Sequence, residues 1–134
     1  MTEDARIAVG RALRERAQGE KAPALAAAMQ ALDPDLPEWS DGFIFGQVWN
    51  RPGLDFEPRM LVAISALASL GQIPQLRNYL HGALQAGIPA EAVRETLAMT
   101  CVYAGFPAGL NALDCWRQVQ AAHDARAPHS ASAQ

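Results

Sequence analysis

The chain has 134 residues, half of them hydrophobic, with 11 Lys and Arg against 14 Asp and Glu and a formal charge of −3. That length predicts one domain with a core that needs no disulfide or metal staple. The charge leaves no broad basic surface, which argues against nucleic acid as a partner, and no apolar run approaches the roughly 20 residues of a membrane span.

The opening Met-Thr-Glu-Asp lacks the basic and apolar segments of a signal peptide. Two cysteines, Cys101 and Cys115, are too few for a disulfide framework. A cytoplasmic protein with reduced thiols is expected.

Apolar spacing predicts helices almost throughout and no strands. The first runs from Thr2 to about Ala17, with sparse apolar positions at Ile7, Val9 and Leu13, and ends at Gln18-Gly19. An Ala-rich helix follows from Ala24 to about Leu32, stopped by Asp33-Pro34, because proline fixes φ and pushes its predecessor toward extended geometry. Leu36 to Trp49 reads as the third helix, with Pro37 in its first turn.

Residues Asn50 to Leu54 form a sharp loop carrying Arg51-Pro52-Gly53, and Asp55 is the expected N-cap of a fourth helix from about Glu57 to Leu70. Residues Leu61 to Leu70 are apolar nearly all round, the pattern of a buried helix. The fifth helix, about Pro74 to Ala86, has one stripe at Leu76, Tyr79, Leu80, Ala83 and Leu84, and Gly87 closes it. The sixth, about Pro89 to Ala104, is apolar in its second half and is broken by Gly105-Phe106-Pro107. The seventh runs from Ala108 to about Ala125.

An all-α domain of six or seven helices over residues 1–125 is expected, with a small polar tail, 126–134, expected to be disordered. The fourth and sixth helices are too apolar for one small chain to wrap, which predicts subunit contacts and a homo-oligomer.

The three histidines, His81, His123 and His129, are scattered, and no Cys or carboxylate stands at ligand spacing to them, so no metal site is expected. There is no phosphate-binding glycine loop and no nucleophile elbow. Cys101 and Cys115 lie 14 positions apart in apolar surroundings, where cysteine usually serves as a small hydrophobe. Arg51 on its rigid turn suits either bidentate carboxylate capture or capping of a neighbouring helix. Arg59, opening an apolar helix, either pairs with Glu57 or Asp55 or reaches a cavity. On the fifth helix Tyr79 falls at the edge of the buried stripe and His81 on the opposite face, toward solvent or another subunit.

Three segments carry a resemblance. They are Phe45-Gly-x-x-Trp-x-Arg-Pro-Gly-Leu-Asp55, Arg59 at the head of its helix, and Val102-Tyr-Ala-Gly-Phe-Pro-Ala-Gly-Leu-Asn-Ala-Leu113. They resemble the carboxymuconolactone decarboxylase family, within the wider alkylhydroperoxidase D-like superfamily, over about Phe43 to Ala121. The resemblance implies an all-helical unit assembling into rings, trimers or hexamers. Its type member converts 4-carboxymuconolactone to an enol-lactone in aromatic catabolism without metal or organic cofactor. The superfamily's Cys-x-x-Cys is absent, which argues against a thiol peroxidase.

Two positions depart from the family pattern: Gln47 stands where an acidic residue is common, and Tyr79 where a His is common. Both side chains stay neutral at pH 7. On the resemblance, Arg59, Tyr79 and His81 are the candidate catalytic residues. Gln47, Trp49, Arg51, Cys101, Tyr103 and Asn111 are the candidate substrate-binding ones, with Trp49, Leu61, Cys101 and Phe106 as an apolar pocket. The expected ligand is a small carboxylate or lactone, and no cofactor is implied. Another cofactor-free isomerisation, cyclisation or lactone opening is the alternative, as is a non-catalytic small-acid-binding oligomer.

Overall fold

The computed structural model describes residues 1–127, and among them the architecture is all-α. Helix α1 spans Glu3–Gln18. Thr2 caps it, its hydroxyl accepting from the Ala5 N–H at 3.1 Å, and Glu3 and Asp4 complement the helix dipole. Gly19, with φ of 64°, ends it and opens a 3-10 turn, Gly19–Lys21, into α2, Ala22–Leu32. Helix α3, Leu36–Trp39, then continues without a break as a π-helix, Ser40–Trp49. After the loop come α4, Phe56–Ser69, and α5, Ile73–Gln85. Helices α6, Ala90–Tyr103, and α7, Phe106–Arg126, complete the chain.

The core joins α1 and the π-helix to α4–α7 through Phe45, Met60, Ile64, Leu76, Leu80, Val93, Leu97 and Val119. Three glycines let helices approach closely, two of them against a backbone carbonyl. A Cβ on Gly10 would overlap the Asp41 carbonyl on the π-helix, one on Gly82 the Ala17 carbonyl on α1, and one on Gly109 the Cys101 sulfur on α6.

A buried ion pair sits where α1 meets the π-helix. Arg14 Nε donates to Asp41 Oδ1 at 2.7 Å, and its Nη1 donates to Gln18 Oε1 and the Ala22 carbonyl, both at 3.1 Å. Arg11 adds a longer contact to Asp41 Oδ2 at 3.5 Å. A buried pair is tolerable only when its remaining donors and lone pairs are satisfied, as here.

Four expectations are corrected. The third helix changes to π geometry for its last ten residues, a rearrangement that hydrophobic spacing does not encode. Helix α4 buries only one face within the chain: Met60, Ile64 and Ala68 are buried, but Val62 and Leu70 are exposed. Ala104 and Gly105, the latter with φ of 96°, make the α6–α7 junction, whereas Phe106 and Pro107 belong to the first turn of α7. Helix α7 reaches Arg126, so the tail's first residue is helical; residues 128–134 of that tail lie outside the described residues.

The apolar second half of α6 is partly open. Val102 and Tyr103 are 74% and 82% exposed, and Met99, Phe106 and Leu110 are exposed beside them. Among the described residues, no helix is long and apolar enough to cross a membrane.

Candidate active site

The π-helix, the 50–55 loop and the head of α4 enclose an open pocket of about 250 Å³, lined by Val48, Trp49, Leu54, Arg59, Val62 and Ala63. Arg59 is its one charged wall. Its Nε donates to the Leu54 carbonyl at 2.9 Å and its Nη2 to the Arg51 carbonyl at 2.8 Å. Two of the guanidinium's five N–H groups are thus spent on the loop, and three remain. Both partners are carbonyls rather than carboxylates, so neither neutralises the positive charge at the pocket. Arg59 therefore takes neither surface partner expected for it, Glu57 or Asp55.

Trp49 is the hub of an aromatic cluster behind the pocket. Its ring lies 5.0 Å from Phe45, 6.0 Å from Phe56 and 6.4 Å from Tyr79, centroid to centroid. The Arg16 guanidinium stands 3.8 Å over the Phe56 ring, a cation–π contact that ties α1 to the cluster. Tyr79 is half-buried against this core. Burial pushes its pKa up to about 12, against a smaller opposing pull from Arg14. In this setting Tyr79 is a neutral hydroxyl that can donate a hydrogen bond.

The remaining sequence-predicted residues do not gather here. Gln47 lies two positions before Trp49, and positions so spaced do not share a helix face. It is exposed and opens on a separate cleft of about 170 Å³ with Arg6, Trp39 and Phe43. Arg51 contributes its carbonyl to Arg59 while its residue is exposed. His81 lines another cleft, with Glu20, Gln85, His123 and Arg126. It is half-buried, and its pKa is lowered first by that burial and then by Lys21, Arg77 and Arg126, with Glu20 opposing.

Tyr103 lines a fourth pocket, between α4 and α6, with Ser65, Ser69 and Thr100. Asn111 is exposed on α7. Cys101 packs over Gly109 and Phe106 is exposed, so of the expected apolar set Trp49 lines the Arg59 pocket and Leu61, Cys101 and Phe106 do not. Both cysteines are free. The Cys115 thiol is buried in the core, and that burial pushes its pKa up, with Asp114 adding to the rise and Arg77 and Lys21 opposing.

Sequence reasoning missed the Arg14–Asp41 pair and Arg16. A signal for the first existed: Gly10 in mid-helix, with Gly42 and Gly46 four apart on the facing segment, marks a close helix crossing. The polar residues beside it are then shielded from water.

The described residues form an all-helical domain with an arginine-walled apolar pocket between the π-helix and α4. The chain belongs to the carboxymuconolactone decarboxylase family, whose model matches residues 34–118. It is 32% identical over 88 residues to a 4-carboxymuconolactone decarboxylase of Acinetobacter baylyi, covering 66% of each chain. It is 35% identical over 99 residues to an uncharacterized 15.0 kDa protein of Paracoccus denitrificans, covering 72% of this chain and 74% of that one. A nitrosuccinic acid decarboxylase of Metarhizium robertsii is 34% identical over 80 residues, which cover 58% of this chain and 52% of the relative.

Proposed function

We propose that this chain is a carboxy-lyase that removes carbon dioxide from a small carboxylated lactone, such as 4-carboxymuconolactone, or a related acid, without a cofactor. The observation that carries the reading is Arg59: a guanidinium with donors to spare, held in place by two loop carbonyls, at the wall of an otherwise apolar pocket. A planar fork so fixed suits bidentate capture of a carboxylate.

The chemistry follows from the environment. Arg59 anchors one carboxylate of the substrate. The second lies toward Val48, Trp49 and Val62, where an apolar wall disfavours its charge and favours its loss. As the carbon–carbon bond breaks, its electron pair moves through the unsaturated lactone onto the carbonyl oxygen. A hydrogen-bond donor then stabilises the developing oxyanion. Tyr79 stands behind Trp49 and outside the pocket's lining, so an Arg59 N–H left free by the loop is our assignment for that donor, and water returns the proton to carbon. His81 serves a different cleft and is not needed for this step.

A specific observation favours a second reading. Burial holds the nearby Tyr79 hydroxyl at a pKa of about 12, which makes it a poor proton donor. A cofactor-free isomerisation, cyclisation or lactone opening would need no stronger acid than water. The two named decarboxylase relatives act on different acids, so family membership leaves the acid open.

We further propose that residues 1–125 act as one domain in the cytoplasm. Copies would associate through the exposed apolar face of α4, α6 and α7 beside the pocket, which shares Val62 with it.

The deciding experiment is ultraviolet-monitored turnover of 4-carboxymuconolactone by the purified chain, with release of carbon dioxide as confirmation. Turnover is expected, and Arg59→Ala should lower kcat/KM at least about 100-fold. No turnover by the folded protein would remove this substrate. Unchanged turnover in the Arg59 variant would remove the site.

A further inference from the structure

The cleft that holds His81 is separate from the Arg59 pocket and shares no lining residue with it. It measures about 290 Å³ and is formed by Glu20 from the 3-10 turn, His81 and Gln85 from α5, and His123, Arg126 and Ala127 from the end of α7. The lining itself carries one carboxylate, Glu20, and one guanidinium, Arg126, and two further cations, Lys21 and Arg77, act on His81 from outside the lining. Lys21, Arg77 and Arg126 all act on His81, and Glu20 is the one acidic group acting in return.

Glu20 is paired with Arg126, and among the described residues no ion pair engages Lys21 or Arg77 near the imidazole. Arg77 Nη1 donates to Gln118 Oε1 at 2.9 Å, a neutral partner that does not cancel its charge. Gln85 Oε1 accepts from the Glu20 backbone N–H at 2.8 Å, and its amide also donates to the Glu20 carboxylate, which fixes the side chain at the cleft wall and leaves one amide N–H to donate.

The geometry points to a second ligand site in this cleft, for a small oxyanion bearing a carboxylate or phosphate group, gripped by Arg126, Gln85, His81 and His123. An anion there would supply the missing counter-charge to Lys21 and Arg77 and accept from groups that now have donors to spare. It would also stabilise the protonated imidazole of His81, whose charge is at present opposed by burial and by its cationic neighbours. Proton uptake and anion uptake at this cleft are therefore coupled. The charged groups in that coupling are Glu20 and Lys21 on the turn, Arg77 on α5, and His123 and Arg126 on α7. The site does not depend on the decarboxylase reading.

The test is a proton NMR titration of the histidine rings of the full chain with inorganic phosphate and, separately, acetate, at ionic strength held constant with chloride. The expected result is saturable movement of the His81 signal with at least one of the two anions, and a rise of its midpoint by about one pH unit at saturation. Arg126→Ala should weaken the bound anion about tenfold, whereas Glu20→Gln, which frees Arg126 from its partner, should tighten it several-fold. No saturable movement with either anion up to about 50 mM would overturn the proposal. So would identical movement with chloride alone, or affinities unchanged in both variants.

Discussion

Two faces of this molecule solve the helix-packing problem in opposite ways. Where α1 meets the π-helix, glycines bring backbones into contact, and a buried Arg14–Asp41 pair is enclosed with its hydrogen bonds satisfied. On the α4, α6 and α7 face, large apolar side chains such as Val102, Tyr103 and Phe106 stand out in solvent. The first face is closed by short-range geometry within one chain. The second is left open, with far more apolar surface than scattered single residues require. One interface therefore depends on individual atoms, and the other depends on area.

That contrast can be broken at several points. The largest effect is expected from Arg14→Ala, which strands a buried Asp41 carboxylate and should cost about 3–5 kcal/mol in chemical denaturation. A loss under 1 kcal/mol would mean that water reaches the pair. Gly10→Ala places a methyl group against the Asp41 carbonyl, and overpacking of this kind costs about 1–3 kcal/mol. An unchanged midpoint would show that the α1 crossing can relax.

On the open face, Val102→Glu should leave the stability of a single chain within about 0.5 kcal/mol, because the side chain is already exposed. If copies associate there, sedimentation should instead show a marked drop in assembly. The smallest effect is electrostatic. The pKa of His81 is lowered from 6.5 in the folded chain. Between that lowered value and 6.5 the unfolded chain binds more protons, so stability rises with pH in this window and is lost as pH falls through it. His81→Asn should flatten that slope, which urea titrations at pH 5 and pH 7.5 would detect.

Helix number and order were legible in the sequence because proline and glycine punctuate the chain and apolar residues recur at helical spacing. Thr2, Gly19 and Gly105 act as the stops and starts their chemistry suggests. The π geometry of Ser40–Trp49 was not legible, since i and i+5 pairing leaves no distinct apolar signature.

The site was legible only in part. Arg59 and Trp49 share a pocket, but Gln47 faces away, a separation that two-residue spacing on a helix already implies. The family pattern groups Cys101, Tyr103 and Asn111 with the site, but motif membership says nothing about where a side chain points. The π-helix also hid the Arg14 pair, because only a facing element reveals that a charged residue on α1 is enclosed.

Arg59 carries one further consequence. The same side chain that offers charge to the pocket is also the strut of the 51–54 loop, through its bonds to Arg51 and Leu54. Specificity and loop shape are therefore inherited together: a relative that gave up this cation to accept an uncharged substrate would have to rebuild the loop in the same evolutionary step. Divergence in substrate is easier along the apolar wall, at Val48, Leu54, Val62 and Ala63, where size can change without disturbing the strut.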